Sequence, residues 1–318
     1  MCTAIVHGEL FGRNLDLEYG YNEKIAIMPR NYPLVFRRAS VFRSHFSIIG
    51  MAAVDRSYPL YFDAMNERGL CMAGLDFPDN AYYPPETTDK TNIAPFELIS
   101  WVLCQCSTTV EAKQLLQATR LANIPYNEEF PQAPLHWIIA DSCSCLVVEP
   151  TVSGLQIYEH PVGVLCNNPP LPYHLNHLVE FQHLSAGDPP ALFENISLPL
   201  YGGGLGATGL PGDFSSPSRF IKAAFVKSHA HGDNSTPITE FFHLMDTVAM
   251  PRGAVRVRGG KDEITRYTSC CDMRNGCYYY VTYDNRRIQA VNLWHSHTDG
   301  TEIECFDLLA VQDIFFKN

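Results

Sequence analysis

No stretch of the chain approaches the roughly 20 uncharged apolar residues that a membrane-spanning helix requires, so a helical membrane protein is not expected. An excess of basic residues is missing too. The 34 acidic residues outnumber 23 basic ones, for a formal net charge of −11, whereas a nucleic-acid binder normally carries a basic surface. An anionic small ligand remains compatible with this balance, provided that donors or arginines are placed locally in its pocket. Met1 is followed at once by Cys2 and Thr3, with no basic segment leading into an apolar run. No secretory leader is expected, and a soluble cytoplasmic protein is.

Cysteine is plentiful, but the patterns that would give it a framework are absent. The count is eleven, an odd number, in a chain of 318 residues, so a disulfide scaffold is not expected. Cys104 and Cys106, Cys143 and Cys145, and Cys270 and Cys271 lack the CxxC spacing of a zinc knuckle. Cys104, Cys106 and Cys166 lie among Leu, Val and Trp and read as small buried hydrophobes. Neither a metal nor another cofactor is expected. No repeat, low-complexity tract or linker divides the chain, and a single domain over residues 1–318 is favoured. Hydrophobic residues at 46% and charged residues at 18% indicate a globular protein.

What is there begins with a hairpin. Cys2–Val6 is short and β-branched, His7-Gly8-Glu9 reads as a turn, and Leu10–Leu15 continues as a second strand. Pairing across that turn sets Cys2 opposite the Arg13–Leu15 stretch and brings Arg13, with Asp16 nearby, beside the N-terminus. Further strands are predicted at Phe46–Val54, Pro59–Met65, Gly69–Phe77, Leu135–Ala140, Cys145–Glu149, Leu155–Glu159 and Gly163–Asn167. A last hairpin joins Tyr278–Tyr283 to Ile288–Leu293. The short connections Asp141–Ser144 and Pro150–Gly154 demand antiparallel pairing. Helices are predicted over Ala94–Cys104 and over Val110–Ala122, the latter with Thr108 and Glu111 as a capping box. Two more open at Ser216-Pro217 and Thr236-Pro237, since proline suits the first helical turn. The mixture indicates α+β layers.

If Met1 is removed, Cys2 offers a thiol and a free α-amine on one residue. Their unperturbed pKa values lie near 8.5 and 8, so proton exchange between them is easy around neutrality. A second-position cysteine alone is often no more than a small residue. The segment Phe11-Gly12-Arg13-Asn14-Leu15-Asp16 adds a guanidinium that favours a thiolate and a carboxylate that can orient an ammonium.

The opening MCTAI, then FGRNLD and NEKIAIMPRNYP, resembles the start of the cholylglycine hydrolase family, which comprises bile salt hydrolases and penicillin V acylases. The likeness continues in order through residues 58–78 (YPLYFDAMNERGLCMAGLDFP), 134–137 (PLHW), 163–169 (GVLCNNP), 209–220 (GLPGDFSSPSRF) and 267–285 (YTSCCDMRNGCYYYVTYDN). The resemblance implies a four-layer αββα sandwich of the N-terminal-nucleophile type. It further implies loss of Met1, attack by Cys2 on an amide carbonyl, and supporting roles for Arg13 and Asp16. Asn167 matches the family's oxyanion-hole asparagine, and Arg219 its second arginine. The implied substrates are glycine- and taurine-conjugated bile salts; the implied assembly is a homotetramer, with Tyr201 and its glycine-rich surroundings taking part.

Asp76 departs from the pattern, because bile salt hydrolases usually carry asparagine there and penicillin V acylases often tyrosine. An ionised Asp76 cannot donate a side-chain hydrogen bond. Its backbone N–H is therefore the expected donor, with the carboxylate pointing away or meeting a cation. By position, Tyr19, Tyr21, Ile25, Ala64, Phe77, Ile124, Tyr126, Phe130 and Leu135 are expected to hold the apolar nucleus of the substrate. The alternatives are a penicillin V acylase, a non-catalytic thiol- or metal-binding protein, and a relative that has lost activity. Glycine-rich Gly203–Gly212, with the PGDFSSPSRF that overlaps its end, favours the first-named substrates over penicillin V.

Overall fold

The structure, a computed structural model, describes all residues except 129–131, 191–195, 232–234, 258 and 310. The first strands are β1 (Cys2–His7), β2 (Leu10–Leu17), β3 (Lys24–Met28), β4 (Ile48–Asp55), β5 (Tyr58–Asn66), β6 (Cys71–Asp76) and β7 (Thr91–Ile93). Helices α1 (Leu98–Leu103) and α2 (Thr109–Gln117) follow, then β8 (Thr119–Leu121), β9 (Leu135–Ala140), β10 (Cys145–Thr151), β11 (Gly154–Glu159) and β12 (Val164–Leu165). Three helices come next: α3 (Leu171–Leu178), α4 (Ser216–His229) and α5 (Pro237–Asp246). The chain ends with β13 (Val255–Arg256), β14 (Asp262–Asp272), β15 (Cys277–Thr282), β16 (Gln289–Asn292) and β17 (Glu304–Asp307).

Two antiparallel sheets are stacked. The first runs β12-β1-β2-β14-β15-β16, with β13 on β14; the second runs β11-β10-β9-β6-β5-β4-β3-β17. Helix α4 covers β1 and β12, and α5 covers β2 and β14. On the far side α1 lies over β5 and β6, and α2 over β10. This is the αββα sandwich. Alternation along the strands supplies both faces: on β9, Ile138 joins the core that includes Ile5, Leu75 and Tyr278, while Trp137 and Ile139 join the layer under Trp101, Val102 and Leu116.

Helix α3 and the strands β3, β7, β13 and β17 are not among the expected elements, and two further differences have a visible cause. The helix predicted to reach Ala122 stops at Gln117, because Thr119–Leu121 is taken up as β8 in a parallel pair with β7. Thr119 Oγ1 closes the helix by donating to Leu115 O at 2.9 Å and accepting from Trp101 Nε1 at 3.1 Å. Only half of the capping box forms: Glu111 N–H donates to Thr108 Oγ1, but the Glu111 carboxylate accepts from Ser107 N–H instead. The second difference is β14, which sits beside β2 in the centre of its sheet. It is absent from the predicted strands because residues 262–272 carry polar side chains on both faces.

His160, buried between β11 and β12, hydrogen-bonds Val164 O through Nε2 at 2.7 Å and so fixes the start of the segment leading to Asn167. Burial pulls its pKa down to about 4. The stability it contributes is therefore present above its unfolded pKa of 6.5 and is lost as pH falls through that window toward about 4. The loss amounts to at most about 3 kcal/mol. In urea melts across this range, His160→Gln is expected to flatten the acid slope.

Candidate active site

The β1–β2 hairpin closes through Gly8-Glu9, where Gly8 takes a φ of 61°, as the first position of a tight hairpin turn requires. That turn sets Cys2 opposite Leu15 and Ala4 opposite Arg13. Cys2 and Arg13 are thus diagonal neighbours on one face, within reach of a long side chain. Arg13 Nη2 lies 2.5 Å from Cys2 Sγ, and its Nη1 donates to Gly74 O at 2.6 Å and Phe62 O at 3.2 Å on the second sheet. The guanidinium is fully buried. Burial works against its charge, yet Cys2, Tyr267, Asp63 and Asp16 outweigh burial and raise its pKa.

Asp16 points to the opposite face of β2. Thr265 Oγ1, from β14, donates to Asp16 Oδ1 at 2.6 Å, while Oδ2 is buried and accepts no hydrogen bond. Burial raises the Asp16 pKa, against the pull of Arg219, the N-terminal ammonium, Thr265 and Arg13. Met1 continues β1 alongside Asp16: its ammonium donates to Asp16 O at 2.7 Å and contacts the Glu263 carboxylate, and Asp16 N–H donates to Met1 O at 3.0 Å. The Asp16 carboxylate is therefore adjacent to the chain start but is not bonded to Cys2 N.

Asn167 knits the site together. Its Oδ1 accepts from Cys2 N–H at 2.8 Å and Arg219 Nη2 at 2.7 Å, and its Nδ2 donates to Asp76 O at 2.7 Å. Arg219 also donates to Cys2 O at 2.5 Å and to Thr3 Oγ1. It sits in the first turn of α4, behind a Ser215 cap, and is buried rather than a surface charge. Just past β6, Phe77 N–H is spent on Pro134 O at 2.7 Å. Antiparallel alternation then turns the Asp76 N–H to the other side, the side on which its own C=O meets Asn167. Burial raises the Asp76 carboxyl pKa; the N-terminal ammonium and His136 pull it back, and Glu18 adds to the rise.

A cavity of about 450 Å³ opens onto Cys2 and Arg13, within the range that small organic ligands occupy. Tyr19, Tyr21, Tyr126 and Leu135 line it, as does Asp76. Four of the predicted ligand contacts do not reach it, because each is taken up in the core. Ile25 is buried between the sheets, and Ala64 faces the layer under α1. Phe77 is buried against the His136 ring at 4.3 Å, and Ile124 packs in a small cluster with Ala94 and Ala122. Phe130 lies outside the described residues. Leu17, Glu18, Leu60, Phe62, Phe96 and Pro134 form wall that the sequence reading misses. Leu17 was within reach of it, since i, i+2 spacing continues the Arg13 and Leu15 face. Glu263 and Thr265 lie on the unpredicted β14 and carried no such signal.

Chemically, the site places a thiol against a permanent cation, beside a chain start ringed by acceptors. Asp76 lines the cavity onto which Cys2 opens, and Asn167 lies beside it with Nδ2 on Asp76 O.

Comparisons with known proteins fit this geometry. The profile of the choloylglycine hydrolase family of linear amide C–N hydrolases matches residues 2–306. The chain is 48% identical to the bile salt hydrolase/transferase of Lactiplantibacillus plantarum, covering all of both chains. It is 37% identical to the bile salt hydrolase/transferase of Clostridium perfringens, over 96% of each. The solved structure of a C2A mutant of the C. perfringens conjugated bile acid hydrolase superposes with a TM-score of 0.93 over 100% of both chains at 35% identity. Penicillin V acylase from Agrobacterium tumefaciens shares the fold, with a TM-score of 0.76 at 16% identity over 96% of this chain and 91% of that one.

Proposed function

The chain belongs to the choloylglycine hydrolase family of linear amide C–N hydrolases, and from that membership we infer that it is a bile salt hydrolase. It cleaves the amide of glycine- and taurine-conjugated bile salts to free bile acid and amino acid. The single observation that carries this reading is Arg13 Nη2 at 2.5 Å from Cys2 Sγ, at the floor of a largely apolar cavity.

In the mechanism we favour, Met1 is removed and the freed Cys2 amine takes a proton from the thiol. Arg13 stabilises the thiolate, and because a guanidinium does not titrate in the working range, that support does not vary with pH. Sulfur attacks the amide carbonyl. The oxyanion is met by the Asp76 N–H and an Asn167 Nδ2–H, which fits the usual geometry of backbone and side-chain donors at such a hole. The amine passes its proton to the leaving nitrogen, and water then clears the thioester. Asp16, with one carboxylate oxygen free of hydrogen bonds, is the group we assign to orienting the amine. Arg219 locks Asn167 and the Cys2 peptide.

We further propose a cytoplasmic homotetramer. Eleven free thiols suit a reducing compartment. Ile196, Leu198, Leu200 and Tyr201 project as an exposed apolar run, with Tyr201 91% exposed, which suits burial against another copy.

Parallel turnover of taurocholate, glycocholate and penicillin V tests the substrate. Both bile salts are expected to be cleaved faster than the penicillin by at least about tenfold, as pocket contacts worth a few methylenes would give. A penicillin cleaved faster than either bile salt would overturn the assignment.

A further inference from the structure

Behind the proposed oxyanion hole lies a pair of ionisable groups that the mechanism does not use. His136 on β9 and Glu149 on β10 are both completely buried, with Nδ1 3.3 Å from Oε1. They lie on the inner face of the second sheet. We propose that His136 and Glu149 are positioning residues that hold the two oxyanion-binding peptides in place through one proton shared between imidazole and carboxylate. The proposal rests on the reading of Asp76 and Asn167 as the oxyanion donors.

Three contacts carry it. His136 Nε2 lies 2.8 Å from Cys166 O, the carbonyl of the peptide that enters Asn167. The imidazole stacks on Phe77, the residue after Asp76, with ring centroids 4.3 Å apart and planes 7° from parallel. Glu149 Oε1 accepts from Leu171 N–H at 3.0 Å, where α3 takes over from the Asn167 turn. The pair thus touches the chain on both sides of the hole. His174 completes the support, with Nε2 3.0 Å from Asn167 O.

The proton count follows from chemistry. A carbonyl oxygen only accepts, so Nε2 must carry a hydrogen. Nδ1 then faces a carboxylate oxygen. Two bare acceptors would repel, so a further proton lies between them, as imidazolium with carboxylate or as imidazole with carboxylic acid. Either form is neutral overall and joins the same atoms. Removing that proton leaves a buried carboxylate against a lone pair and loosens the support. The other titratable groups facing the pair are Asp76 from β6, Tyr158 from β11, His160 beyond β11 and His174 from α3, with Lys227 of α4 acting on His160. A buried ion pair is a poor source of stability compared with apolar packing, which leaves placement as its better-supported use.

Glu149→Gln tests the idea, since an amide in that place cannot both serve His136 as donor and accept from Leu171 N–H through the same atom. The expected result is a fall in kcat of about tenfold or more, with KM within about twofold. The rate of Cys2 alkylation by iodoacetamide should stay within about twofold, because the nucleophile is untouched. Unchanged kcat, or alkylation that slows in step with kcat, would overturn the proposal. If the variant does not fold, proton NMR of the unaltered protein with ¹⁵N-labelled histidine decides. A His136 Nδ1 proton that is protected from exchange and bonded toward Glu149 is expected at the pH of turnover, and a bare Nδ1 in the active enzyme would sink the idea. An Asn167→Ala control separates the two readings. If it too leaves kcat intact, the oxyanion assignment fails; if it abolishes turnover while Glu149→Gln does not, only the positioning role fails.

Discussion

A Cys2→Ala protein is expected to release glycine or taurine from conjugated bile salts at least about 10⁴-fold more slowly than the parent, the scale on which loss of a covalent nucleophile acts. The structure explains why this loss would be chemical and not structural. Every polar contact of Cys2 except that of its sulfur is made by the backbone: N–H to Asn167 Oδ1, and C=O from Arg219. Alanine keeps both. Only Arg13 Nη2 loses a partner, and that guanidinium still donates to Gly74 O and Phe62 O. Deleting one buried sulfur is expected to cost about 1 kcal/mol, or a melting shift of a few degrees. Rapid-quench assays beside calorimetry would check both halves. With the parent enzyme, intact mass after mixing with glycocholate should reveal an acyl adduct on the chain whose first residue is Cys2. Full turnover by protein that still carries Met1 would refute the amine's part.

Asn167→Ala should be the next most damaging change, lowering kcat by about 10²–10³, the usual loss on removing an oxyanion-hole donor, which is the role proposed for Asn167. Unlike the first variant it should also weaken the fold. Asn167 Oδ1 is the acceptor for Cys2 N–H and Arg219 Nη2, both buried. Leaving buried donors unmatched costs about 1–3 kcal/mol each. Asn167→Asp separates the two effects. It retains the acceptor Oδ1 and therefore much of the stability, but it sets a second oxygen against Asp76 O, 2.7 Å away in the native pair, and removes the donor. Turnover should stay as low as in the alanine variant while urea midpoints recover. Recovery of turnover with aspartate would mean that the Asn167 amide donates nothing to the reaction.

How much of this was legible in the chain depended on distance along it. Cys2 and Arg13 meet because a two-residue turn fixes register, and local pattern reveals that much. Asn167 and Arg219 could be named only through resemblance, because what joins them to Cys2 is contact across 165 and 217 positions. Composition and periodicity say nothing about such pairings. The expected ligand contacts failed where an apolar residue next to the site turned inward. Ile25 and Ala64 occupy strands that carry apolar residues on both faces, Ala26 and Met65 being their neighbours, so no pattern told wall from core. Phe77 reads as a pocket aromatic until the imidazole beneath it is known. Glu263 and Thr265 were hidden for a different reason, since β14 has polar residues facing both the helices and the neighbouring sheet. The α2 boundary was misplaced because a partner strand claimed residues with adequate helix propensity.

The proposed catalytic groups and the carbonyls that hold them straddle the seam between the layers: Cys2, Arg13 and Asn167 stand with one sheet, Gly74, Phe62 and Asp76 with the other. Turnover is consequently a gauge of interlayer spacing. Shaving a methylene from Ile5 or Ile138, remote from any ligand, would alter the gap that the reacting atoms must span. Drift in such proteins should then be freest on the outer loops and most restricted in the aliphatic filling that keeps the two halves apart.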